Sequence, residues 1–397
     1  MINNLNNLIN QYGTPDALID NWDEELIGYA VWGFEESIIW NNQGLYISNK
    51  KVKPDLGLIQ ESINNWKKQS NDIACLSFIS YNFKNILYPH IKFQNYNENF
   101  PYLLFIKPRL IKKYKIEKNS GQNVSLKMIK DFMNYQEYKV KLDKIKNELH
   151  DGNVYQINFT NNKKYKSMNE AFDIYLSLRS QIKPKYGFYF NYEQYKILSF
   201  SPELFFKCKS NYIESHPMKG TINRSNNLKI DNDLKLKLKN SEKDKAEHLM
   251  IVDLMRNDIG KIAENESVKV DQLYEVKSYK TVHQMISKVK GKVKQSIQEI
   301  DIIKALFPGG SVTGAPKESA MKIIDSLENY SRDIYTGSLG YIKSNGDMKF
   351  NIAIRTLCFD NDIASYGIGG GIVWDSESKS EWLEAHLKSK ILSSILN

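Results

Sequence analysis

Little arginine, little cysteine and no long apolar run mark this sequence, and each shortage excludes something. Six of the 55 basic residues are arginine, so the formal charge of +9 rests on scattered lysines. A nucleic-acid groove clusters arginine among aromatics, and nothing here does; a basic polyanion-binding protein is the weakest of the readings considered. The three cysteines, Cys75, Cys208 and Cys358, show neither paired nor metal-type spacing and read as reduced thiols. No window approaches the roughly 18 consecutive apolar residues of a membrane span. The start, MINNLNNLINQYG, has neither a basic leader nor an apolar signal core, so no export and a cytoplasmic location are expected. What is present is 397 residues, 41% apolar, 12% aromatic and 25% charged, the balance of a soluble globular protein with ample length for a deep core.

No internal repeat is visible, and the texture changes along the chain. The first 110 or so residues read as short strands and turns, with CLSFISYNF (75–83) a strand rich in aromatic and β-branched residues. Residues 111–134 are polar and lysine-rich and read as a linker into a helix over 134–151 that stops at Gly152. Strand-like runs at 154–160, 186–192, 197–208 and 212–218 follow without crossover helices, which predicts antiparallel pairing. Residues 222–245 are charge-dense and read as a mobile surface loop. The helix expected at 243–259 carries Ala246, Leu249, Met250 and Leu254 at helical spacing. FPGGSVTGAPK opens a helix at 316–328, and strands at 335–343, 350–358 and 363–368 precede GGGIVWDS and a last helix. Strand runs broken by a few helices predict an α+β protein. Its two regions, 1–115 and 135–397, are expected to fold as one body.

Four features could carry chemistry. The Gly-rich loops aim free N–H groups at a helix start, suited to a small carboxylate. FPGGSVTGAPK is not a nucleotide P-loop, since Ala315 and Pro316 stand where Lys and Ser/Thr belong, and YGIGGG is not a dinucleotide loop, since Ile372 takes its last glycine position. Taken alone, each reads first as a tight turn. Glu381 and Glu384 share one face of the last helix, and Asp244 and Glu247 lie on another. Together they could hold a magnesium ion, or be solvated faces with Glu384 paired to Lys388. Lys219, in SHPMKGT, could be a nucleophile if burial and a nearby cation lowered its pKa from about 10.4, or one more solvated charge. Glu203, in SFSPELFF, could be a general acid whose proton an apolar strand retains, or a strand-end carboxylate paired with lysine.

The succession DGNVYQINFT, SFSPELFF, PMKGTINR, AEHLMIVDLMRND, FPGGSVTGAPKESAMKIIDSLE, YTGSLGYI, NIAIRTL and GGGIVWDSESKSEWLEAHLKSK resembles the chorismate-utilising enzymes over about residues 140–395. The resemblance implies two large, mainly antiparallel β-sheets packed as a sandwich with helices outside and the site between them. It implies that Glu247 and Glu384 ligate magnesium, with Glu381 and Asp244 nearby or bound through water. Lys388, Arg355, Tyr341, Gly220, Thr221 and Thr313, with the backbone of Gly369 and Gly371, would hold chorismate; His283 would stand near the ring; Glu203 would assist loss of the C4 hydroxyl. Arginine and a metal are apt clamps for a dianion.

Two positions separate the branches of that family. Anthranilate synthases resemble P-I-A-G-T where this chain has Lys219, whereas aminodeoxychorismate synthases carry a lysine there, implicated as a covalent nucleophile. Isochorismate and salicylate synthases place a water-activating lysine where this chain has Gln156. Lys219 with Gln156 resembles the aminodeoxychorismate synthase branch, on the way to 4-aminobenzoate and folate. Anthranilate synthase is the alternative, and isochorismate synthase a weaker one. No cysteine lies in a Gly-x-Cys-x-Gly elbow, so the family resemblance implies ammonia from a separate glutamine amidotransferase subunit. The N-terminal part is shorter than is common in the family, and VWDS puts Trp374 where alanine is usual.

Overall fold

The computed structural model describes residues 3–22, 26–94, 100–117, 123–279 and 282–396. Among them 21 strands join one hydrogen-bonded network, antiparallel but for the parallel pairing of Asn3 and Asn4 with Tyr114 and Lys115. One apolar cluster is drawn almost wholly from strands: Leu18's neighbours Ala17 and Ile19, with Val31, Leu76, Phe78, Leu104, Phe188, Phe190 and Leu339. On either side lie clusters in which helices cover sheet. One takes Tyr138, Leu142, Ile174, Ile324 and Ala385 from helices; the other takes Ile59, Ile63, Val252, Met255 and Ile303. A strand-on-strand interior flanked by helix-covered faces is the expected α+β sandwich. At roughly 1.5–3 kcal/mol for each large apolar side chain removed from water, these clusters supply most of the driving force. Among the described residues, no helix is long and apolar enough to cross a membrane.

The first region is more regular than short strands and turns. Strands Ile27–Asn41 and Leu103–Lys115 pair from Ile27↔Lys115 to Trp40↔Leu103, with a register shift between Phe34 and Glu36. A helix, Leu56–Gln69, buries Ile59, Gln60, Ile63 and Trp66 and is capped by Asp55, whose side chain accepts from the Gly57 N–H. Residues 111–115 end a 13-residue strand and Leu126–Lys130 is another, so 111–134 is not simply a linker. The two regions share ladders: Ala17–Asp20 pairs with Gly187–Phe190, and Ile73–Ile79 with Ser338–Lys343.

Residues 222–245 also differ from expectation. Asn227 caps a helix, Leu228–Asn240, accepting from the N–H groups of Lys229 and Ile230, and Ser241 caps the next, Glu242–Gly260. The second helix buries His248, Ile251, Val252, Met255 and Ile259, while Leu249 faces solvent. The burial stripe therefore runs beside the one expected from Ala246, Leu249 and Leu254. The single strand expected at 197–208 is two, Tyr195–Ser201 and Leu204–Lys209, and Glu203 sits in the break between them.

Candidate active site

Strand Gln156–Ser167 pairs with Ile363–Ile372, setting Gly371 opposite Asn158 and Gly369 opposite Thr160. The three glycines thus lie in a strand, not in an open loop. A Cβ placed on Gly371 would stand 2.7 Å from Lys219 Nζ and 3.1 Å from Gln156 Nε2. The absence of a side chain there makes the space in which lysine and glutamine meet. Gln156 is fully buried, and among the described residues neither its amide oxygen nor its nitrogen has a hydrogen-bond partner. An unsatisfied buried amide is unfavourable by about 1–3 kcal/mol, and such exceptions call for an explanation; a polar ligand beside Lys219 is one. Lys219 is set by Met218–Asn223, which pairs with Val282–Lys292 and shifts register at Gly220, where φ is +69°. That left-handed turn suits glycine, and it brings Gly220 against Asp244 and Leu238.

Burial lowers the pKa of Lys219, Glu247 opposes that and Lys388 adds to it, with Glu203 and Glu384 also bearing on the amine. A strand, two helices and the break at Glu203 thus bring these groups to bear on one amine. Glu203 accepts from Ser311 Oγ at 2.9 Å. Burial raises its carboxyl to about 7, against the hydrogen bond from Ser311 and the charge of Lys219. An acid that holds its proton near neutrality and an amine eased toward its free-base form are a matched pair for proton transfer and nucleophilic attack.

Acidic groups from two helices stand near this space, Glu381 Oε2 at 3.7 Å from a Cβ placed on Gly370. Burial raises Glu247, with Asp244 and Glu381 adding to the shift. Burial and then Glu384 raise Glu381, against the hydrogen bond from Ser376. Lys388 holds Glu384 low; its Nζ lies 2.9 Å from Glu384 Oε1 and 2.8 Å from the Gly369 carbonyl. Among the described residues, no three acidic, histidine or cysteine side chains gather into a metal-ligating group. Magnesium needs only one or two protein carboxylates beside substrate oxygens and waters, and the crowding that raises Glu247 and Glu381 is what a divalent cation relieves. The donor set fits that ion.

Not every expected site residue reaches this space. Tyr341 packs with Ile19, Phe188 and Leu339 in the strand-on-strand interior, its ring 6.2 Å from that of Tyr29. The tyrosine of YTGSLGYI that borders the glycine strand is Tyr335, whose ring lies against Gly367. His283 is committed on both sides, with Nδ1 2.9 Å from Ser278 Oγ and Nε2 3.0 Å from Asp231 Oδ1. Arg224 grips the same carboxylate, at 2.7 Å from Nη2. Thr221 is exposed, and Thr313 is fully buried where its carbonyl accepts from the Asn158 N–H. Arg179, Arg224, Arg256 and Arg332 each pair with a carboxylate. Arg355 has no such partner among the described residues; desolvation of its guanidinium lowers its pKa, and Tyr366 opposes that. It is exposed, at φ +53°, a left-handed conformation uncommon outside glycine.

Three neighbours escaped the sequence reading. Ser311 lay unmarked in FPGGSVTGAPK, and Tyr335 stood six residues from the tyrosine chosen. His248 is fully buried with Nε2 2.7 Å from Ser287 Oγ. Burial and the nearby Lys219 charge push its imidazole down to about 4. Trp374 also gains an account: its ring covers Lys146, with Nζ 5.4 Å from the ring centre, and sits 6.0 Å from the His150 ring, fastening the loop before the last helix to Tyr135–His150.

The sequence profile of the chorismate binding enzyme family matches residues 111–394. An Arabidopsis thaliana protein named aminodeoxychorismate synthase, chloroplastic, is 44% identical over 244 residues, 60% of this chain and 27% of that protein. Anthranilate synthase component 1 of Saccharolobus solfataricus is 39% identical over 245 residues, 62% of this chain and 58% of that one. The matched stretch is thus less than two thirds of either relative. In fold, the chain is similar to anthranilate synthase component I of Streptococcus pneumoniae, with TM-score 0.81 at 24% identity, covering 92% of this chain and 91% of that one.

Proposed function

The chain belongs to the chorismate binding enzyme family, and on that footing we propose that it converts chorismate and ammonia to 4-amino-4-deoxychorismate. The observation that carries this reading is the Lys219 amine beside Gly371 and the unpartnered Gln156, with Glu203 bearing on it. Relatives of both names match at similar identity, so the choice between them rests on those side chains.

Lys219 in its free-base form attacks C2 of the ring. The N–C2 bond forms, the ring double bonds shift, and the C4–O bond breaks as Glu203 gives its proton to the departing hydroxide, which leaves as water. Ammonia then adds at C4, the double bonds shift back, and the C2–N bond breaks to release Lys219. Glu203 takes up the surplus proton. Burial favours both starting protonation states. Gln156 has no group that titrates near neutrality, so it cannot activate water as a lysine there would; addition of water is disfavoured. Arg355, with no carboxylate partner among the described residues, would take a carboxylate of chorismate. Glu247 and Glu384 would hold magnesium, with Asp244 and Glu381 beside them; the ion would supply charge neutralisation for the ring carboxylate. Ammonia would come from a separate glutamine amidotransferase subunit.

Mass-resolved product analysis of the purified protein with chorismate, magnesium and ammonium tests the reading. Aminodeoxychorismate, retaining the enolpyruvyl mass, supports it, and anthranilate would assign the chain to the other branch. Lys219→Ala is expected to lose at least about a hundredfold in rate; full ammonia-dependent turnover by that variant would rule out the covalent step.

A further inference from the structure

We propose that Ser311 is a positioning residue of this site, fixing which oxygen of Glu203 carries the transferable proton. The inference rests on the reading of Glu203 as the proton donor. Ser311 Oγ donates to Oε1 at 2.9 Å. In a protonated carboxyl, the oxygen that already accepts a hydrogen bond is the carbonyl oxygen, so the proton resides on Oε2.

Both partners are mounted on held backbone. The Glu203 N–H donates to Ser201 Oγ at 3.2 Å, and its carbonyl accepts from the Ile352 N–H at 3.1 Å. Ser311 sits in the turn Gly310–Val312, where the Thr313 N–H reaches the Gly310 carbonyl at 3.2 Å and Arg332 Nη1 donates to the Val312 carbonyl at 3.0 Å. Close approach depends on the preceding glycines: a Cβ on Gly309 would stand 2.9 Å from Ile352 Cδ1, and one on Gly310 3.1 Å from Leu254 Cδ1. The Gly-rich loop thus presses one hydroxyl onto one carboxylate oxygen.

The hydrogen bond strengthens on ionisation, so it opposes the upward pull of burial. Among the described residues, the charged group that bears on Glu203 is Lys219, itself faced by Glu247, Lys388 and Glu384. A group that gives up a proton and later takes one back does both most readily when its midpoint lies near the working pH. Ser311 keeps that midpoint within reach and returns the proton to the same oxygen.

The test titrates the Glu203 carboxyl by carbon-13 NMR of the full-length, glutamate-labelled protein, with Glu203→Gln identifying the signal. Ser311→Ala is expected to raise the midpoint by about half a unit to one unit. It should also lower kcat for ammonium-dependent turnover by about tenfold, leave KM for chorismate within about twofold, and move the alkaline limb of kcat upward by the same amount. Ser311→Thr, which keeps the hydroxyl, should restore both titration and limb; Ser311→Cys, nearly isosteric with a weaker donor, should fall between. An unmoved midpoint in the alanine and cysteine variants overturns the proposal. So does a midpoint that moves while the kcat profile does not. A wild-type protein that makes no product from chorismate defeats the proposed reaction instead, and the titration still decides whether Ser311 governs Glu203.

Discussion

Replacing Gly371 by alanine should separate catalysis from stability. The new Cβ would lie 2.7 Å from Lys219 Nζ, 3.1 Å from Gln156 Nε2 and 3.2 Å from Gln156 Cδ. Non-bonded atoms settle at about 3.5–4.0 Å, so the lysine amine must retreat by roughly 1 Å. The obstacles are the ends of two side chains, and Gly371 is not among the glycines at positive φ. Exchanging glycine for alanine inside a strand is favourable by roughly 0.5–1 kcal/mol, so stability should hold or rise slightly. A misplacement of about 1 Å at the reacting group is worth about 10²-fold in rate, which is ~2.7 kcal/mol of transition-state stabilisation. Urea unfolding and kcat/KM for chorismate, measured on one preparation at saturating ammonium and magnesium, read the two effects separately. Gly369→Ala is the contrast: its Cβ would meet the Phe159 carbonyl oxygen at 2.3 Å and Thr160 Cα at 2.7 Å. Backbone cannot swing aside, and that variant should lose about 1–3 kcal/mol of stability. If Gly371→Ala keeps its rate within about threefold, the Lys219 amine is not where the chemistry needs it, and the reading of this space as the reaction site fails.

Two further outcomes are expected. Glu203 is an acid whose folded pKa is raised from 4.5 to about 7. Its burial is therefore harmless at low pH, grows unfavourable between those values as only the unfolded chain loses its proton, and is fully unfavourable above them. The ceiling is ~3 kcal/mol at about 1.36 kcal/mol per unit, reduced to roughly 1–2 by solvent screening of a half-buried group. Glu203→Gln should then stabilise the protein at pH 8 and do little at pH 4.5; equal stabilisation in both buffers would contradict the assigned shift. Asp231→Asn should loosen the helix Leu228–Asn240, since Arg224 and His283 both hold that carboxylate. Trypsin cleavage within the helix should rise by roughly tenfold, and an unchanged digestion rate would mean that packing of Leu238 alone retains it.

The residue types of the candidate site were legible because each part is local. A lysine at a strand end before glycine, a carboxylate in an apolar stretch and acids spaced by one helical turn can be read without knowing what they face. The order of strand runs was enough for an α+β class. The misreadings share a different cause. In the helix Glu242–Gly260 several faces carry apolar residues, and the sheet it lies on selects the stripe of His248, Ile251, Val252 and Met255. The helix Leu228–Asn240 buries only Asp231 and Leu238; an ion pair to Arg224 and a hydrogen bond to His283, 52 residues away, supply what its apolar content does not.

By itself, then, the sequence determined the secondary-structure class, the family and the kinds of group available for the reaction, since these follow from residue type and short spacing. Only the tertiary structure decided which tyrosine borders the glycine strand, that His283 is occupied by Asp231, and that Ser311 reaches Glu203. Those facts follow from strand register and from where the turns, breaks and helices between strands pack against it. Register is set by pairing between segments far apart in the chain, and a shift of one residue exchanges the two faces.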